Sequence, residues 1–180
     1  AGNFGNTHSF DSIINVAKRL ISYQKISFIF IGEGAQKEKI DNRIVNERLS
    51  NILSLPFQSD EIFPIALGSA DVSLITMATG SEKSMVPSKI YYSMAVGSAL
   101  LGISGRGSEL FSIINNHKCG FNTKPDDDDS LFNAIMRLYN NPKLLHKFKT
   151  NSFEAFNKNY TRQHMAKKYD NLMCKVFTVN

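Results

Sequence analysis

Two rhythms of apolar residues alternate along the chain. Phe10, Ile13, Ile14, Ala17, Leu20 and Ile21 recur at helical spacing, predicting a helix capped by Ser9 and running to about Tyr23. Residues 25–31, KISFIFI, are nearly continuous in apolar side chains, the pattern of a strand buried on both faces of a parallel sheet. Gly32-Glu33-Gly34 ends that strand. A polar helix over 35–48, a short strand over 52–55, a short helix over 61–69 and a strand over 72–76 follow.

Residues 80–98, GSEKSMVPSKIYYSMAVGS, organise the rest. They read as a polar, glycine-bearing loop and then a helix. Pro87 suits its first position and Gly97 its left-handed C-cap. Next come a strand over 99–103, a helix over 109–115, a last strand over 120–122 and a helix over 130–139. Asn141-Pro142 opens a further helix, and a closing C-terminal helix covers 162–177. Strand and helix in alternation predict an α/β fold, a Rossmann-like doubly wound parallel sheet with right-handed crossovers.

Composition narrows the class. A chain of 180 residues with 42% hydrophobic content suits one globular domain, residues 1–180. No apolar run reaches the roughly 20 residues of a spanning helix, and residues 1–20 do not read as a signal peptide. The net charge of +5 is dispersed among acids, so nucleic acid is not an expected partner, while an acidic ligand or an anionic membrane surface is compatible. Cys119 and Cys174 stand alone, as reduced thiols of a cytoplasmic protein do. The opening Ala1-Gly2-Asn3-Phe4-Gly5 is a turn with no strand before it, so the chain is read as a fragment of a longer protein lacking most of a first strand.

Glycine turns at residues 2–5, 32–34 and 102–107 all adjoin predicted strands, at the carboxyl edge where open α/β sheets bind ligands. That set favours a nucleotide or a phosphorylated ligand. A dinucleotide-binding Rossmann domain is the alternative, but Lys37 stands where its third glycine belongs. Asp126 to Asp129 are read as first-turn carboxylates of a helix, not a metal site. His8, His117, His146 and His164 lack metal-ligand spacing, and no metal or cofactor is expected. His8 sits in the first glycine turn and is read as a bystander.

In order and spacing, these residues resemble the C-terminal domain of GT-B fold glycosyltransferases, in particular family 4 retaining enzymes of surface-polysaccharide synthesis. The segments that carry the resemblance are Gly2-Asn3-Phe4-Gly5, Gly32-Glu33-Gly34, Leu55-Pro56-Phe57-Gln58, Ala70-Asp71-Val72 and, most specifically, Val86-Pro87-Ser88-Lys89-Ile90-Tyr91 with Met94-Ala95-Val96-Gly97. Gly105 to Glu109, Cys119-Gly120-Phe121 and Asn141-Pro142 continue the pattern. The resemblance implies a nucleoside-diphosphate sugar, UDP- or GDP-linked, as substrate, and a glycan or lipid-linked acceptor bound by a missing N-terminal domain. It implies work in the cytoplasm at the inner face of the plasma membrane, for lipopolysaccharide or capsule synthesis. This domain alone would be inactive.

The implied donor site comprises Gly2, Gly5, Asn6, Gly32, Glu33, Gly34, Phe57, Gln58, Glu82, Ser84, Met85, Val86, Pro87, Ser88, Lys89 and Tyr92, with Lys89 and Glu82 as catalytic candidates. The paired glutamates of many relatives fall on Ser84 and Tyr92, and Glu82 is out of register. That departure keeps a sugar-nucleotide epimerase and a catalytically degenerate relative as alternatives.

Overall fold

The computed structural model describes residues 1–5, 10–77 and 87–177. Strands β1 (Phe28–Ile31), β2 (Ile52–Leu55), β3 (Val72–Thr76), β4 (Ala99–Ile103) and β5 (Gly120–Thr123) alternate with helices α1 (Asp11–Arg19), α2 (Lys37–Asn46), α3 (Phe63–Gly68), α4 (Lys89–Ala95), α5 (Glu109–His117) and α6 (Asp128–Tyr139). Two further helices, α7 (Pro142–Asn159) and α8 (Arg162–Phe177), complete the chain. Every strand pairing is parallel.

The strands form two sheets instead of the single sheet expected. β1 pairs with β2, and β3, β4 and β5 pair in that order. Between β1 and β3 runs a groove of about 470 Å³ that includes Ile31, Val72, Leu74, Ile75 and Leu101 in its walls.

Strand β4 shows why the fold needs helices on both faces. All its residues are buried, and successive side chains point to opposite faces. Leu101 and Ile103 join a core with Ile13, Ile14, Val16 and Ala17 of α1, Ile40 of α2 and Leu131 of α6. Leu100 joins a second core with Ile90 and Met94 of α4 and Leu110, Ile113 and Ile114 of α5. One strand thus feeds two cores, the arrangement of a doubly wound sheet.

Several local expectations shift. The first strand begins at Phe28, because Ile26 N–H turns back to the Tyr23 carbonyl at 2.8 Å and residues 25–27 stay outside the ladder. Helix α4 begins at Lys89, not Pro87. Ile90 N–H donates to the Pro87 carbonyl at 3.0 Å, so the proline carbonyl closes a tight entry turn ahead of the helix. Its C-terminus follows expectation: Gly97 has φ +71°, its N–H reaches the Met94 carbonyl and Ser98 N–H reaches the Ser93 carbonyl, both at 3.0 Å. Gly102 belongs to β4 and not to a turn. An added Cβ there would meet Ile114 Cδ1 at 2.8 Å and Leu110 Cγ at 3.1 Å, so it is a close-packing glycine.

Helix α6 is capped by Asp127, whose carboxylate accepts from Ser130 N–H at 2.9 Å and Ser130 Oγ at 2.8 Å. Asp128 accepts from Asn15 and Asp129 pairs with Arg19, so the acidic run does hold a helix start and ties it to α1. Helix α8 forms where expected, but none of its residues is buried, and Tyr169, Leu172, Met173, Val176 and Phe177 face outward. No helix among the described residues is long and apolar enough to cross a membrane.

Candidate functional site

The first two glycine turns pack against each other at the carboxyl end of β1. Gly2 N–H donates to the Ile31 carbonyl and Phe4 N–H to the Glu33 carbonyl, each at 2.7 Å. Both turns need glycine here. Gly32 has φ +148° and a Cβ on it would run into the Gly2 carbonyl oxygen. Gly34 has φ +140° and would strike the Asn3 side chain. Gln36, just ahead of α2, locks the pair from one side. Its N–H donates to the Phe4 carbonyl at 3.0 Å and its Nε2 to the Gly5 carbonyl at 2.8 Å. Beneath, Phe4, Phe10 and Phe30 form an aromatic triad with ring centroids 5.1 to 6.2 Å apart.

Lys89 of α4 reaches over this corner from the other sheet. A Cβ on Gly2 would meet Lys89 Cε at 2.6 Å and Nζ at 2.9 Å, so the ammonium lies directly on the first glycine turn. Burial pulls the Lys89 pKa below its usual value. The Ala1 amino group beside it is lowered to about 6, first by burial and then by the Lys89 charge. Among the described residues no carboxylate pairs with either cation. The Ser88 and Lys89 amides make no hydrogen bond among the described residues either, since the entry turn uses those of Ile90 and Tyr91. Cations without partners, free amides and a backbone that admits no side chain make a seat for an anion.

The structure brings Gly2, Gly5, Gly32, Glu33 (through its carbonyl), Gly34 and Lys89 together, and Pro87 and Tyr92 line the adjoining groove with Lys89. Phe57 and Gln58 follow β2 at the same edge. Phe57 is 57% exposed, and the Gln58 amide turns to its neighbour's carbonyl, Pro56 O, at 2.9 Å. Asn6, His8, Ser9, Glu82, Ser84, Met85 and Val86 lie outside the described residues.

The third glycine turn is held by a network that motif reading missed. Ser104 Oγ bonds Ser108 Oγ and donates to Asn122 Oδ1, both at 2.8 Å, while Asn122 Nδ2 donates to the Ser104 carbonyl at 2.9 Å. Gln36 was missed as well. Neither residue belongs to a motif, and only the folded backbone shows which carbonyls each reaches.

The dinucleotide alternative fails at Lys37. Its Nζ pairs with Asp41 at 2.7 Å and Ser54 Oγ at 2.6 Å, filling the helix–strand contact that a third glycine would leave open. No group of three or more His, Cys, Asp or Glu suited to a metal occurs among the described residues. Cys119 is buried, with its thiol pushed up to about 12 by desolvation, and Cys174 is exposed.

Known proteins share this arrangement. The profile of the family described as Glycosyl transferases group 1 matches residues 1–155. A probable glycosyltransferase, WbjE, of Pseudomonas aeruginosa is 31% identical over 137 residues, 74% of this chain and 33% of that protein. The chain therefore spans about a third of the length of this curated relative. The C-terminal domain of a group 1 glycosyl transferase, LpcC, from Francisella tularensis superposes with a TM-score of 0.71 at 17% identity, covering 89% of this chain and 85% of that one. Anabaena HepE, solved with UDP-glucose, gives a TM-score of 0.74 at 15% identity over 94% of this chain and 48% of its own. The fold is that of GT-B glycosyltransferase domains. With its profile matched from the first glycine turn into α7, the chain belongs to the group 1 glycosyl transferases.

Proposed function

We propose that this domain holds the nucleoside diphosphate of a UDP- or GDP-sugar donor for a glycosyltransferase of surface-polysaccharide synthesis. The observation that carries the reading is Lys89 lying on Gly2 with no carboxylate partner among the described residues. The diphosphate rests between the glycine turns and the start of α4. As the glycosidic phosphate leaves, negative charge grows on it, and Lys89 with the preset amides of Ser88 and Lys89 stabilises that charge without a metal. Phe57 and Gln58 meet the base at the β2 end of the edge. Two relatives support the ligand class: WbjE by its name, and HepE by its complex with UDP-glucose.

A glycan or lipid-linked acceptor is bound by the rest of the full-length protein, working in the cytoplasm at the inner face of the plasma membrane. Calorimetry of the full-length protein with UDP and GDP tests the reading. One nucleotide binds, and Lys89→Ala weakens it about ten- to hundredfold, the worth of one charge-assisted hydrogen bond. Unchanged affinity in Lys89→Ala overturns it.

A further inference from the structure

The first residues of the chain already run beside β1. Gly2 N–H to Ile31 O and Phe4 N–H to Glu33 O are the two-residue step of a parallel ladder. This sets Gly2 across from Gly32 and directs whatever leads into Ala1 back along β1, into the groove. The edge there is open. Phe28 and Gly32 spend their N–H groups on Asn51 O and Leu55 O at the β2 side, so Ile29 and Ile31 turn their backbone groups the other way. β3 mirrors this. The Asp71 carbonyl accepts from Ala99 and Met77 N–H donates to Ile103, leaving Val72 and Leu74 aimed at the groove. Among the described residues, the amides of Ile29, Ile31, Val72 and Leu74 and the carbonyls of Ile29, Val72 and Leu74 have no partner.

Facing rows of unpaired backbone groups in an apolar groove are costly, at about 1–3 kcal/mol for each group left unsatisfied. A small molecule cannot answer both rows at ladder spacing, and a third parallel strand can. Filling the gap also gives one continuous sheet in which the added strand comes first in the chain, the order of classic doubly wound folds.

We propose that the groove is an acceptor for a β-strand, and that its occupant is the extended stretch leading into Ala1 in the full-length protein, about five residues, matching β3. The stretch is apolar on both faces, because the cores of α1 and α4 flank the groove, and it carries no proline at positions that donate to the two edges. Continuity with Ala1 favours this occupant over a second copy, since a tethered segment is present at millimolar effective concentration. The proposal needs only the two edges and stands apart from the donor reading.

Amide exchange in the full-length protein tests it, with Leu101 of the fully paired β4 as the internal reference. The amides of Ile29, Ile31, Val72 and Leu74 exchange at least about a hundredfold more slowly than free peptide, approaching Leu101. Proline at a central position of the preceding stretch removes that protection and leaves Leu101 slow. Fast exchange at Ile29 and Leu74, protection indifferent to the proline, or protection lost on dilution to monomer (a second copy in the groove) each overturns the proposal. Should the proline variant unfold, Leu74→Cys paired with a cysteine at the facing position of the preceding stretch decides. A disulfide forms under oxidising conditions if the strands are neighbours, and its absence overturns the assignment.

Discussion

Lys89 lies on Gly2 so closely that a single methyl group on the glycine would displace it, with Cε at 2.6 Å and Nζ at 2.9 Å from the position of an added Cβ. The two residues sit on opposite sides of the groove, one at the chain's first turn and one at the start of α4. A half-buried ammonium with no acid beside it destabilises the fold while it serves a ligand. The sign follows from its lowered pKa: at pH below the folded value Lys89 is charged in both states and the cost is fully present, and it fades as pH rises toward the unfolded value of 10.5. Lys89→Met therefore leaves thermal stability at pH 7 unchanged or raised, while nucleotide affinity falls. Calorimetry and a thermal scan on one sample separate these, and a Met variant that binds as well as the parent contradicts the site.

Gly2→Ala acts on the same contact from the other side. Gly2 has φ +115°, outside the regions open to alanine, and its Cβ pushes Lys89 off the turn. A loss of about 1–2 kcal/mol is expected from the backbone alone. Gly32→Ala is worse, because its Cβ meets the immobile Gly2 carbonyl in place of the end of a flexible side chain. Urea unfolding of the two variants should rank Gly32→Ala below Gly2→Ala. The reverse order would mean that the turns do not pack as described.

How much of this was legible in the sequence depends on what each feature is made of. The helices and strands follow from apolar spacing, and Gly97 ended α4 as its position suggested, since a left-handed cap is a local demand. The split sheet was not legible, because pairing across β1 and β3 is decided by what lies between them. Gly102 was misread for a related reason: glycine marks both turns and close packing, and only Ile114 and Leu110 above it tell the two apart. Lys89 was found through a motif, whereas Gln36 and Asn122 act on backbone carbonyls and leave no spacing signal.

The face between α1 and α2 carries an ion-pair network with a defined acid limit. Glu47 accepts from Arg43 Nε at 2.7 Å and from Lys18 at 3.0 Å, and Arg43 also reaches Asp11 at 3.0 Å. The Arg43 hydrogen bond, then that of Lys18, lowers the Glu47 pKa from 4.5 to about 2. A lowered carboxylate contributes stability above its unfolded pKa, lost as pH falls through the folded one, so Glu47→Gln flattens the acid limb between pH 4.5 and about 2. The effect shrinks in 1 M salt, because these groups are solvent-screened. An acid limb identical to the parent's at low salt would show that the network contributes nothing to stability.

His117 sets a second pH dependence at milder values. Its Nε2 lies 2.8 Å from the Tyr160 hydroxyl, and the Tyr160 ring packs on Tyr91 of α4 with centroids 5.0 Å apart, so the histidine links the end of α5 to the helix that carries Lys89. Burial lowers the His117 pKa below 6.5, which means the fold prefers the neutral ring. For a base lowered in this way, stability is constant well above 6.5 and falls as pH drops through that value toward the folded pKa, where the unfolded chain takes up the proton first. His117→Gln keeps a polar partner for the Tyr160 hydroxyl but cannot titrate. The variant's thermal midpoint should therefore change less than the parent's between pH 7 and 5.5. Direct titration of the His117 ring by NMR checks the cause, since a pKa at or above 6.5 would assign the decline to another group.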